Sequence, residues 1–211
     1  MKIAVFGSTG KTGIQVVQQA LEQGFEIKAF VRNPEKMSGK NEKLSLAQGD
    51  VVNADAVDRC VEGVDAVVVA LGPNPDGTGN VMAEGTVNIT SAMKKNGVKR
   101  VVVESSFPMS GSPEGIAFLK SLGMTEGQIA MAKPAMDDKI EQENAVRESG
   151  LDWIIVRPLI LTDGKKTSHY RVGENLDIKP IDNISRADVA DFMLKSLKDD
   201  EWLRKTVVIT Y

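Results

Sequence analysis

One cysteine, one histidine and two tyrosines stand among 211 residues, and each scarcity closes off a class of chemistry. With Cys60 alone there is no intrachain disulfide and no cysteine cluster for zinc. Its setting, DAVDRCVEGVD, puts it on one face of a helix, where a buried, inert thiol is expected rather than a catalytic one. His169, the sole histidine, falls in a predicted loop beside Tyr170, a place for solvent exposure or packing rather than catalysis. Long apolar runs are missing too. The apolar stretches are strand-sized, so no membrane span is expected. MKIAVFG runs straight into a strand, and its apolar stretch is too short for a signal peptide. Nor does one sign of charge dominate: 26 Lys and Arg face 29 Asp and Glu, a net charge of -3, and the basic residues are scattered among acidic neighbours. No nucleic acid or other polyanion is expected as a partner, and a cytoplasmic location is the default expectation.

A hydrophobic content of 42% with 26% charged residues is ordinary for a soluble globular chain. A chain of this length buries about 70% of its unfolded surface as one domain, without a disulfide or metal staple. Residues 1–211 are therefore read as a single domain. Short β-rich runs fall at Lys2–Gly7, Glu26–Val31, Lys43–Gln48, Ala66–Leu71, Val98–Glu104 and Trp153–Val156. Helical periodicity separates them at Gly13–Glu22, Ala54–Val61, Val81–Lys95 and Lys133–Glu148. Val67-Val68-Val69 and Val101-Val102-Val103 are continuous rather than alternating, the pattern of strands covered on both faces. This rhythm predicts a doubly wound α/β fold, a parallel sheet flanked by helices. Gly24, Gly97 and Gly150 follow predicted helices as end signals. The rhythm breaks at Phe107–Met131 and again after Pro158, until a helix near Ser185–Leu197 and a last strand at Thr206–Thr210. Segments 107–131 and 159–184 are expected as substrate-side loops, the latter part of a small covering region near the C-terminus.

The stretch FGSTGKTG admits two readings. A phosphate-wrapping ATP loop needs G-x-x-x-x-G-K-[ST], and with Gly10 as its second glycine the first falls on Val5, inside a strand; that reading fails. The spacing Gly7-x-x-Gly10-x-x-Gly13, after the first strand and before an amphipathic helix, suits the tight turn of a dinucleotide-binding Rossmann unit. The second strand then decides the nucleotide. Ala29-Phe30-Val31-Arg32-Asn33 carries Arg32 where NAD-binding proteins usually place an acid against the ribose 2′-hydroxyl. A guanidinium there pairs with a 2′-phosphate, so NADPH/NADP+ is expected over NADH, with Lys11 and Lys36 as further positive charges.

Further motifs sit at strand ends: Gly49-Asp50-Val51, Ala70-Leu71-Gly72 and Glu104-Ser105-Ser106. They are followed by Lys139-x-x-x-Glu143 and ESGLDWIIVRP. Together with VMAEGTVNI, DDKIEQENAVRESGL and ADVADFML, these resemble the atypical, NmrA-like short-chain dehydrogenase/reductase group, and most nearly the biliverdin reductase B/flavin reductase (NADPH) family. The resemblance covers nearly the whole chain. It implies that Gly7, Thr9, Gly10 and Thr12, with Gly13 behind them, line the pyrophosphate and that Arg32 holds the 2′-phosphate. It further implies Asp50 and Val51 beside the adenine and Leu71 and Gly72 beside the ribose. Ser105, Ser106, Lys139 and the backbone of Pro158, Leu159 and Ile160 then surround the nicotinamide end, with Ser106 and Lys139 as the catalytic candidates. Asp50 has a competing role as a turn or helix-capping residue. Arg157 is read as a structural ion pair more readily than as a substrate ligand.

The chain departs from tyrosine-dependent short-chain dehydrogenases, whose Tyr-x-x-x-Lys supplies a proton to a carbonyl oxygen. Four residues before Lys139 stands Ala135, and Tyr170 and Tyr211 lie far downstream. Human-type members of the resembled family carry a histidine where this chain has Lys139. Alcohol–ketone chemistry is therefore disfavoured. Flavins, quinones and biliverdin take hydride into a delocalised system, and water can supply their proton, so orientation over the cofactor is the main demand. Phe107, Met109, Phe118, Met124 and Met131 are read either as an adaptable apolar cover for such a flat acceptor or as core packing. The leading expectation is an NADPH-dependent reductase of planar acceptors, a monomer or weak homodimer. The alternative is a non-catalytic redox sensor of NmrA-like type.

Overall fold

The uninterrupted valine runs form the middle of the sheet. In the computed structural model, which describes residues 1–37, 41–73 and 80–211, β4 (Ala66–Val69) and β5 (Arg100–Glu104) lie between β1 (Lys2–Phe6) and β6 (Asp152–Pro158). Every residue of β4 is buried, because helices cover both faces of the strand. Outward from β1 run β2 (Glu26–Val31) and β3 (Leu44–Gln48); outward from β6 runs β10 (Lys205–Thr210), parallel to its neighbour. Among the described strands only β8 (Arg171–Gly173), at the edge, is antiparallel. The order β3-β2-β1-β4-β5-β6-β10-β8 is the doubly wound arrangement that the alternating pattern predicts. Its strand order reverses between β1 and β4, and in such sheets a crevice opens at that switch point, beyond the carboxyl ends of the strands.

Strand alternation sorts the core into two layers. Ile3, Val5, Ile27, Val102 and Ile154 face α1 (Lys11–Glu22) and α6 (Arg186–Lys195). Ala4, Phe6, Val67, Val103 and Ile155 face α2 (Ala54–Val61), α3 (Val81–Lys95) and α5 (Glu126–Arg147). Cys60 is fully buried in α2, and burial pushes its thiol up to about 12. Thiol reagents are therefore expected to spare the native protein and label it only on unfolding. Native labelling at the rate of the denatured chain, followed by mass spectrometry, would contradict this. His169 is exposed, as expected, its Nδ1 lying 2.7 Å from the Thr167 carbonyl oxygen. Among the described residues no helix is long and apolar enough to cross a membrane.

Ordered elements run through both irregular segments, a short helix in the first and short strands in the second. Ser112 caps α4 (Pro113–Ser121) by accepting from the Gly115 N–H, with Pro113 in the first turn where its missing N–H costs nothing. α5 begins at Glu126 rather than at Lys133, because Thr125 and Gln128 form a reciprocal capping box. Pro134, in the first turn of the expected helix, lies well inside α5 on an exposed side, where water can serve the carbonyl that lacks its N–H. In the later segment β7 (Ile160–Thr162) and β9 (Asn183–Ser185) pair in a separate two-stranded sheet.

Candidate functional site

The turn from β1 into α1 is shaped by two close approaches. Gly7 adopts φ +78, and a Cβ there would lie 2.1 Å from the Ala70 carbonyl oxygen. A Cβ on Gly13 would lie 2.1 Å from the Gly7 carbonyl oxygen, so the helix packs directly on the turn. Gly10 is the N-cap of α1 and brings no capping side chain, and no acid occupies the first turn. The first N–H groups of α1 are thus left to an anion, with the positive end of the helix dipole behind them. The Ser8 hydroxyl donates to the Phe30 carbonyl at 2.8 Å and ties the turn to β2.

A cleft of about 290 Å³ opens from this turn across the ends of the strands. Its walls are Gly7, Thr9 and Gly10 from the turn, Arg32 beyond β2, Asp50 and Val51 beyond β3, and Leu71 and Gly72 beyond β4. Eight of the residues expected to hold the cofactor are therefore gathered around one space. Asp50 also makes the turn foreseen for it: its carboxylate accepts from the Val52 N–H at 3.2 Å, while Asn53 caps α2. Lys11 points elsewhere, its Nζ 2.9 Å from Asp163, which also pairs with Arg186.

Beyond β5 lies a buried polar network. Thr12 turns its hydroxyl inward to Glu104 Oε1 at 2.8 Å, so α1 presents its backbone N–H, not this hydroxyl, to the cleft. Ser105 is buried, and its hydroxyl donates to Glu143 Oε1 at 2.6 Å rather than reaching toward the cleft. Glu143 also accepts from Arg157 Nε at 2.8 Å and Nη2 at 2.6 Å, the structural ion pair expected for Arg157, and from Arg147 at 2.5 Å. Burial pushes the Glu143 carboxyl up, but the bonds and charge of Arg157, with Ser105 and Arg147, outweigh it and hold the group below the usual carboxylate range. Lys139 is 7% exposed; its Nζ donates to Gln142 Oε1 at 2.8 Å and to the Leu71 carbonyl at 3.3 Å, at the rim of the cleft. Burial brings Lys139 down to about 8, against the opposing pull of Glu104, Glu143 and Asp138. The carboxyl of Glu104, which opens the motif Glu104-Ser105-Ser106 but was given no role of its own, is pushed up by burial against its Thr12 bond and the charges of Lys139 and Arg186. An acid closing the otherwise apolar run Val101-Val102-Val103 is the signal that marks it.

Both tyrosine hydroxyls are committed on α6, Tyr170 to Asp191 at 2.9 Å and Tyr211 to Asp188 at 2.7 Å. Neither stands in for the tyrosine that Ala135 replaces.

A second cavity, of about 700 Å³, lies beside α4. Phe107 and Phe118 line it, their rings edge-to-face at 5.9 Å, together with Leu176, Ile178, Val208 and Arg157. The Phe107 N–H donates to the Pro158 carbonyl at 3.1 Å, joining this wall to the strand end where Leu159 is buried and Ile160 exposed. Half-buried Ser106 precedes Phe107. Met109 and Met124 are half-buried outside the lining. Met131 is 83% exposed and does not belong to an apolar cover, because α5 starts early enough to turn it outward.

The family described as NAD(P)H-binding matches residues 7–200. An uncharacterized chloroplastic protein of Arabidopsis thaliana is 32% identical over 99% of this chain and 76% of its own length. The photosystem II assembly factor Ycf39 of Synechocystis is 25% identical over 98% of this chain; the match spans 61% of that protein. Among solved structures, the anaerobilin reductase ChuY of Escherichia coli superposes with a TM-score of 0.81, covering 99% of this chain and 96% of its own at 19% identity. That likeness is one of fold.

Proposed function

The chain belongs to the NAD(P)H-binding family, and its cofactor is a nicotinamide dinucleotide; from that premise we propose that it is an NADPH-dependent reductase of flat conjugated acceptors. Flavins, quinones and biliverdin are the class meant. The observation that carries the reading is the pairing of a cofactor cleft that includes Arg32 with a buried Lys139 lacking its tyrosine. A reductase of the same fold, ChuY, lends support.

In this reading the backbone N–H groups of the Gly10–Thr12 turn bind the pyrophosphate, and Arg32 binds the 2′-phosphate. Val51 and Leu71 flank the adenosine. Ser106 and the backbone at Pro158–Ile160 fix the nicotinamide end, and Phe107 and Phe118 pack the acceptor. The bound nicotinamide supplies the hydride. Lys139 holds a proton at Nζ near neutral pH and sets a positive charge at the rim. A lysine is charged below its pKa, so kcat/KM is expected to fall as pH rises through about 8. A Lys139→Met variant is expected to be slower and to lose that limb; a profile identical to wild type would remove Lys139 from the mechanism.

The direct test follows nicotinamide absorbance with NADPH and FMN, riboflavin, a quinone or biliverdin. Oxidation with at least one is expected, and none with any would overturn the reading. A second reading, a dinucleotide-binding redox sensor, is favoured by the absent tyrosine and by the assembly-factor relative. Tight cofactor binding without turnover, together with capture of a partner that depends on the cofactor's oxidation state, would select it.

A further inference from the structure

A buried amide stands where the contact of two helices would accept an apolar side chain. Gln142 lies on α5 against α3 and is fully buried. A methionine or leucine would fill that place without the cost of withdrawing an amide from water. Both ends of the Gln142 side chain are instead engaged. Its Nε2 donates to the Thr86 hydroxyl on α3 at 3.2 Å, and its Oε1 accepts from Lys139 Nζ at 2.8 Å. Lys139 stands three residues earlier on the same face of α5, so the two side chains meet along one turn. Asp138 fixes the two helices to each other, its carboxylate accepting from the Met82 and Ala83 N–H groups at 3.1 and 2.8 Å. The amide is anchored from α3, and the lysine is held by the amide.

An ammonium has three N–H donors. Gln142 takes one, and the Leu71 carbonyl beyond β4, 3.3 Å away, takes a second. Both acceptors are fixed, one by Thr86 and the other by the backbone at the cleft wall. Among the described residues nothing takes the third, although Lys139 is 7% exposed. A donor left unspent on so buried a group is costly until a ligand oxygen meets it. We propose that Gln142 is a positioning residue for Lys139: anchored by Thr86, it turns the ammonium so that two N–H bonds go to the protein and the third is left for an oxygen of the ligand in the cleft. This rests on Lys139 lying at the nicotinamide end. Without the amide, a flexible four-carbon stem gives that bond no fixed direction. The carboxylates whose charge reaches Lys139 are each bonded elsewhere: Glu104 at the end of β5 to Thr12, and on α5 Glu143 to Arg157 and Arg147 and Asp138 to the start of α3. They favour its charge but do not aim it.

A neutral acceptor favours the charged form of a lysine, and an anionic acceptor favours it more. Gln142→Met keeps the approximate size but removes the acceptor. The midpoint of Lys139, read by NMR of ε-13C-labelled lysine and assigned with Lys139→Arg, is then expected to fall by about half a pH unit. Gln142→Glu keeps an acceptor in place and is expected to raise the midpoint by about one pH unit. The basic limb of kcat/KM moves with each. In Gln142→Met kcat is expected to fall about 10-fold, because the ammonium is no longer aimed, while the KM for NADPH stays within about twofold. Gln142→Glu, which still aims it, recovers most of that loss. If Gln142→Met does not fold, Thr86→Val, which frees the amide, is read in its place, with the same direction expected. A midpoint that stays put, or that moves the same way in both folded variants, overturns the proposal. The NMR midpoint needs no turnover. If no acceptor is reduced yet the midpoints separate, the reductase reading falls and the hold of Gln142 on Lys139 stands; if reduction proceeds and they do not separate, Gln142 alone is excluded.

Discussion

Arg32→Ala is expected to weaken NADPH binding roughly 10- to 100-fold while leaving NADH within about twofold, since charge-assisted hydrogen bonds contribute about 1.5–3 kcal/mol. Arg32 follows β2 directly and borders the cleft that also holds the glycine turn, Asp50 and Leu71. It is exposed, so water and salt screen it, and the loss should shrink as ionic strength rises. Arg32→Glu puts an acid where it can accept from a ribose hydroxyl and should reverse the preference. Parallel titrations of both nucleotides decide the matter. An equal loss for NADPH and NADH would mean that Arg32 supports the loop rather than reading the 2′-phosphate.

Glu143→Ala is expected to cost about 3–5 kcal/mol of folding stability, the usual penalty for leaving buried countercharges without a partner. Glu143 is 2% exposed and joins three elements: Ser105 beyond β5, Arg157 in β6 and Arg147 on its own helix. Its removal leaves the Arg157 guanidinium, whose side chain is 19% exposed, without its carboxylate partner. In a chain of this size the melting temperature should drop by about 10 °C. Glu143→Gln keeps an acceptor and should cost less. The pH dependence follows from the direction of the shift. The carboxyl is held below its usual range, so its contribution is complete above the unfolded value near pH 4.5 and is lost as pH falls through the lower folded value. Wild type and Glu143→Gln should therefore converge in stability in acid. Denaturant midpoints measured across pH test this, and equal midpoints at neutral pH would contradict it.

Much of the fold was legible because its signals are local. Continuous valine runs mark strands buried on both faces, and the glycine spacing marks a tight turn, where a Cβ on Gly7 or Gly13 would come within 2.1 Å of a carbonyl oxygen. The place of Arg32 on the cleft wall was legible for the same reason, since it stands at a fixed distance after that turn. What sequence reading missed depends on partners far apart in the chain. Thr12 and Glu104 are 92 positions apart, and Lys11 and Asp163 are 152 apart; no periodicity connects such pairs. The start of α5 was placed at Lys133 because Phe107–Met131 reads as irregular, whereas the capping box at Thr125 begins the helix within that segment. Met131 was grouped with the apolar cover for the same reason, since its exposure follows from where the helix begins.

The most direct measurement mixes NADPH-loaded protein with riboflavin, a quinone or biliverdin in a single turnover, with hydrogen or deuterium at the transferred position of the nicotinamide. The expected result is nicotinamide oxidation matched mole for mole by acceptor reduction, slower with deuterium. NADPH that stays bound and unoxidised by every acceptor would contradict the reductase assignment and leave a dinucleotide sensor in its place.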